Sequence, residues 1–137
     1  MSCTKILGSI IAVVGISIVA AGLAVETESK KAEAGKLRHV VLFKFKDGTS
    51  PEKIKEIETA YCAQQQKIPE IVDLEWGTDV STENLSQGFT HCFIITFRNA
   101  ADRTAYLRHP IHKEISKSLL TPYREKVLVV DYVVPNK

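Results

Sequence analysis

Between Leu37 and Phe45 the chain alternates with a period of two, setting Leu37, His39, Val41, Phe43 and Phe45 on one side and Val40 and Leu42 on the other. This is a strand pattern with apolar residues on both faces. Asp47-Gly48 then makes a turn, and Ser50 before Pro51 supplies a capping hydroxyl and a proline suited to the first helical position. Ile54, Ile57, Tyr61 and Ile68 recur at helical spacing until Pro69, which predicts one amphipathic helix with a single buried stripe. Ile71 to Val80 reads as a second strand, Ser81 to Gly88 as a polar connection, and Phe89 to Phe97 as a third strand of clear alternation. Asn99 with Asp102 marks a helix start, and the helix from Ala100 must stop near Arg108 because Pro110 disfavours a helical residue before it. Pro110 opens a second helical piece through Leu120, Pro122 ends it, and Val127 to Val134 forms the last strand.

The order β, α, β, β, α, β predicts an α+β, ferredoxin-like domain: a four-stranded antiparallel sheet with both helices on one face. The other face of that sheet would carry Val40, Leu42, Cys92 and Ile94, too apolar to remain in water. An identical chain packed on it about a two-fold axis is the simplest cover, so a homodimer through the sheet face is expected.

Ahead of this domain, Ile6 to Val25 contains no charged residue and is long enough to span a bilayer. Residues 1–25 are therefore expected to be a signal peptide or N-terminal membrane anchor, engaging the membrane or the export machinery. Residues 26–36 are expected to be a polar linker and residues 37–135 the folded domain. Ala32-Glu33-Ala34 has a small-x-small cleavage pattern, whereas Lys30, Lys31, Lys36 and Arg38 outnumber Lys5 and favour cytoplasmic retention of an uncleaved anchor. With the export pattern as the deciding cue, an exported or membrane-anchored domain is expected; the cytoplasmic face of the membrane is the alternative.

Composition adds exclusions. The 137 residues carry a formal charge of +2 with basic and acidic residues interspersed, which argues against nucleic acid as a partner. Cys62 and Cys92 read as small hydrophobes within a helix and a strand. No CxxC, CxxH or HExxH spacing occurs, so neither a metal nor a cofactor is implied.

What remains is a cluster of proton-handling groups. Tyr106, His109 and His112 lie in one helical unit, His91 opens the preceding strand and His39 heads the first. On a helix from Pro110, Ile111, Ile115 and Leu119 define the buried stripe, with His112 at its edge, where it can face a cavity. An imidazole kept neutral there suits removal of a proton alpha to a carbonyl, while the Tyr106 hydroxyl can hydrogen-bond an enolate oxygen. Tyr106 and His112 are thus the candidate catalytic pair. His39 and His91 share the phase of their strands' phenylalanines and are candidate ligand-binding residues, with buried framework as the plainer role. His109 reads as a helix cap.

Taken in order, His39-Val40-Val41-Leu42-Phe43-Lys44-Phe45-Lys46-Asp47, Trp76-Gly77, Gly88-Phe89-Thr90-His91, His109-Pro110-Ile111-His112 and Val130-Asp131-Tyr132 resemble the stress-responsive dimeric α/β-barrel family over the whole domain. The resemblance implies sheet-to-sheet homodimers. A plant member that cyclises a linear polyketide by cofactor-free aldol condensation is similar along this length, implying the catalytic tyrosine at Tyr106 and the catalytic histidine at His112. Glu58, Phe93 and Arg124 depart from that member's apolar lining, which implies a more polar pocket. Two functions follow as expectations: a cofactor-free lyase- or cyclase-like enzyme with a cavity that both Tyr106 and His112 reach, or a non-catalytic dimeric stress protein that binds a small molecule or acts through its interface. A haem-binding or monooxygenase role, as in other dimeric α/β-barrel families, is the weaker third.

Overall fold

A computed structural model describes residues 33–136. The segment 1–25 on which the anchor and signal-peptide expectations rest lies outside the described residues, as does most of the linker. Among the described residues no helix is long and apolar enough to cross a membrane.

Strand β1 (Leu37–Phe45) alternates buried and half-buried along its full length, as its period of two requires. Helix α1 (Pro51–Lys67) begins where Ser50 accepts a hydrogen bond from the Lys53 backbone and ends at Ile68, whose extended backbone leaves helical geometry one residue before Pro69. Strands β2 (Ile71–Thr78) and β3 (His91–Phe97) are shorter than the sequence predicts. Val80 and Phe89 fall into the connection, where Asn84, Gln87 and Gly88 adopt positive φ and break the strand geometry. After β3 come α2 (Ala100–Arg108), capped by Asn99, and α3 (Pro110–Glu114), capped by His109 through its own imidazole.

The predicted helix to Leu120 is not continuous. From Ile115 to Leu120 the backbone makes a π-helical turn, with the Thr121 N–H donating to the Ser116 carbonyl at 2.9 Å. The extra residue rotates the stripe, so Leu120 is fully buried while Leu119 is only partly so. Strand β4 (Arg124–Val133) follows.

The sheet order is β2-β3-β1-β4 with every neighbour antiparallel, the ferredoxin-like arrangement. Its helix-facing side carries the core: Phe43, Phe93, Phe97, Ile95 and Leu74 are fully buried beneath Ile57, Tyr61 and Ile68. The opposite side, with Val40, Leu42, Cys92 and Ile94, is half-exposed. Strand β4 is more open still, because the helices do not reach over it. Both Val129, in register with Val41 on the helix side, and Val130, in register with Val40 on the open side, are about half exposed at 49% and 48%.

Candidate functional site

Helix α1 packs on the sheet with an unusual face. Of its five buried residues, only Ile57 lacks a polar group; the others are Glu58, Tyr61, Gln64 and Gln65. Burying polar side chains is costly unless each finds a partner, and their partners divide the helix–sheet interface into two ends.

At one end stand Tyr106 and His112. The Gln64 amide donates to the Tyr61 carbonyl at 3.4 Å, which turns its own oxygen toward His112 Nδ1 at 3.2 Å. An oxygen acceptor requires the proton on Nδ1 and leaves Nε2 as a free base. Burial, helped by the neighbouring His39 and His109 charges, pulls the His112 pKa down to about 4, so the imidazole is neutral at pH 7. The Tyr106 ring lies 4.2 Å from that of His112, centroid to centroid, and packs on Phe97 at 5.1 Å. Its hydroxyl is buried without a hydrogen-bond partner among the described residues. Burial raises its pKa well above the phenol range, the Tyr61 hydroxyl adds to this and the adjacent Gln64 side chain opposes it, without reaching hydrogen-bond geometry.

His39 borders the same end, with its ring edge-on to Tyr106 at 6.0 Å. Its Nδ1–H donates to Asp131 at 2.6 Å, because β1 and β4 pair with His39 directly opposite Asp131. Arg103 of α2 holds the second oxygen of that carboxylate. His109 accepts the Ile111 N–H at the start of α3, and beyond that cap it acts on the site only through its charge near His112.

His91 belongs to the other end. Its Nε2–H donates to buried Glu58 at 3.2 Å, and the Thr90 hydroxyl donates to Nδ1 at 2.8 Å. Its ring stacks on Trp76 at 6.3 Å and 3°, and Lys55 lies near both Trp76 and Glu58. Phe93 packs between Trp76 and Tyr61, and burial raises the Tyr61 pKa while Arg124 opposes it. Glu58, Phe93 and Arg124 therefore gather at the His91 end, away from Tyr106.

The structure brings Tyr106, His112 and His39 together and separates His91. It adds Gln64 and Asp131, neither assigned from the sequence. Each had a signal: Gln64 interrupts the apolar stripe between Tyr61 and Ile68, and Asp131 is the lone charge between Val127 and Val134. No cluster of metal-ligating residues occurs among the described residues. A groove of about 420 Å³ opens beside the β2–β3 connection, and neither Tyr106 nor His112 lines it.

A family model for the stress responsive A/B barrel domain matches residues 37–134. The stress-response A/B barrel domain-containing protein HS1 of Arabidopsis thaliana is 44% identical over 98 residues, covering 72% of this chain and 89% of that protein. Olivetolic acid cyclase of Cannabis sativa is 30% identical over 96 residues, 70% of this chain and 94% of the cyclase. Among solved structures, the hydroxynitrile lyase from Passiflora edulis superposes with a TM-score of 0.69 at 31% identity, covering 74% of this chain and 95% of the lyase. A protein of unknown function from Bacteroides fragilis, described as dimeric and ferredoxin-like, superposes at 0.59 with 26% identity, over 72% of this chain and 96% of its own. Motifs, fold and relatives agree, and the chain belongs to the stress responsive A/B barrel domain family.

Proposed function

We propose that the domain is a cofactor-independent acid–base catalyst for a small carbonyl compound, with His112 Nε2 as the base and the Tyr106 hydroxyl as the donor to the developing enolate oxygen. The observation that carries this reading is the pairing of an imidazole kept neutral by burial with a buried hydroxyl that has no partner of its own. A buried donor left unsatisfied costs about 1–3 kcal/mol, and a substrate oxygen would recover that cost. Because the His112 imidazole holds a proton weakly, the reaction depends on Tyr106 to carry the enolate's charge. The relatives named as a cyclase and a hydroxynitrile lyase fit such chemistry. Tyr106 is closed over by His112, His39 and Phe97, so the reading requires the short α3 and its π-helical extension to give way to substrate.

The test is exchange of the alpha hydrogens of methyl ketones in deuterium oxide, followed by NMR. The wild-type chain is expected to accelerate it, and His112→Ala or Tyr106→Phe to lower that rate by roughly 10²-fold or more. Equal rates in all three sink the reading.

Complete burial of Tyr106 favours a second reading, in which Tyr106 and His112 are framework in a non-catalytic dimer that binds a small molecule or acts through its interface. Homodimerisation through the open sheet face is part of both readings. Its support is the half-exposed valines of β4 and the dimeric relative, and sedimentation at micromolar concentration tests it. The export role proposed for residues 1–25 is tested by mass spectrometry of the mature amino terminus.

A further inference from the structure

Helix α1 turns Gln64 inward at a stripe position, between Tyr61 and Ile68, where an apolar side chain would pack at no polar cost. Gln64 is fully buried all the same, and a buried amide is tolerated where both its ends are bonded. Its Nε2 donates to the Tyr61 carbonyl at 3.4 Å within α1, and its oxygen accepts from His112 Nδ1 at 3.2 Å across the gap to α3. The amide cannot reverse without loss: a carbonyl only accepts, so the nitrogen must face Tyr61 and the oxygen must face His112. The backbone behind it is fixed too, because the Ile68 N–H closes the last turn of α1 on the Gln64 carbonyl at 2.9 Å.

That oxygen decides which nitrogen of His112 holds the proton. An imidazole in water favours the Nε2–H tautomer, in which Nε2 cannot act as a base. With an acceptor at Nδ1 the ring is held in the Nδ1–H form, and Nε2 keeps its lone pair. The other neighbours do not make this choice: the Tyr106 ring packs on His112 at 4.2 Å, while His39 of β1 and His109 at the head of α3 act on it through charge, which selects no tautomer. The bond to Gln64 also strengthens when Nε2 takes up a proton, since a charged donor bonds about twice as strongly as a neutral one. It therefore favours the imidazolium that a working base becomes.

We propose that Gln64 is the positioning residue of the site, locking His112 in its Nδ1–H tautomer so that Nε2 is the basic nitrogen beside Tyr106. Its part in catalysis rests on the reading of His112 as the base, whereas the tautomer is a property of the resting chain.

Long-range proton–nitrogen NMR of the full chain reads the tautomer directly, without substrate, at pH 7, where the ring is neutral. His112 is expected to show a protonated Nδ1 and a bare Nε2. Gln64→Met keeps an unbranched side chain and removes the oxygen, so the fold should persist while His112 moves to a mixture dominated by the Nε2–H form; Gln64→Leu is the second such variant. In exchange of the alpha hydrogens of methyl ketones, each variant should lower kcat about tenfold with KM unchanged, the worth of one hydrogen bond that strengthens in the transition state. A wild-type His112 protonated at Nε2, or a tautomer unmoved in both variants, overturns the assignment. So does an unchanged kcat in variants whose tautomer has moved. A wild-type chain that shows the Nδ1–H form, lost in the variants, yet exchanges no ketone hydrogens supports Gln64 as the lock and sinks only the reading of His112 as a catalytic base.

Discussion

His39 and His91 point the same way from adjacent strands, and each gives one ring proton to a carboxylate, yet their surroundings differ in what is left over. At His91 every polar partner is met: Glu58 takes one proton, Thr90 supplies another, and Trp76 covers the ring. At His39 the carboxylate is satisfied by Arg103, but the neighbouring Tyr106 hydroxyl is orphaned and His112 is forced neutral. Unmet polar groups in a closed interior are a cost that packing alone would remove, so the Tyr106 end carries an unanswered demand that the His91 end does not.

The two ends separate most visibly at the aromatic floor. Phe97 touches the rings of His39 and Tyr106, whereas Phe93 touches Trp76 and Tyr61. Each truncation to Ala should cost about 3–5 kcal/mol in chemical denaturation. Phe97→Ala should disturb the NMR resonances of Tyr106 and His112 and leave His91 in place; a reverse result would mean the two ends are one unit. Asp131→Ala removes the partner of both His39 and Arg103 and is expected to cost about 1–3 kcal/mol, with Asp131→Asn recovering part of it.

Acid should act on the Tyr106 end through His112. Its folded pKa, about 4, lies below the 6.5 of an ordinary imidazole, so the unfolded chain takes up a proton that the folded chain refuses. The stabilisation is complete above pH 6.5 and is lost as the pH falls toward 4. A His112→Gln variant should show a flatter Tm profile across that window, and an unchanged profile would contradict the depressed pKa. The smallest effect has the opposite sign: Tyr106→Phe deletes an unsatisfied hydroxyl and should raise stability by about 1 kcal/mol, the low end of that hydroxyl's cost, while removing any activity. A loss of stability would show that the hydroxyl has a partner.

Much of this was legible in the residues. The two-residue period fixes β1 from Leu37 to Phe45, and Ser50-Pro51 with Pro69 brackets α1, because alternation and caps are local signals. The π-helical turn was not, since Ile111, Ile115 and Leu119 describe an ordinary helix and only tertiary packing turns Leu120 inward. Tyr106 and His112 are legible as neighbours because only the break at His109 separates the two short helices that carry them. The Asp131–His39 pair depends on a strand register spanning most of the domain, and Gln64 depends on which way an amide turns, neither of which a residue spacing encodes.

Strand β4 remains the part of the sheet least protected from water. A long, valine-rich edge with both faces wet is a template that any extended segment can extend, including the wrong one. With the proposed homodimer, its fate is a matter of mass action and timing: a newly made chain that meets its own kind quickly would be covered, and one that waits would offer that edge to aggregation. For such a chain the melting temperature should climb with protein concentration, so that supply, as much as sequence, sets how stable the domain is.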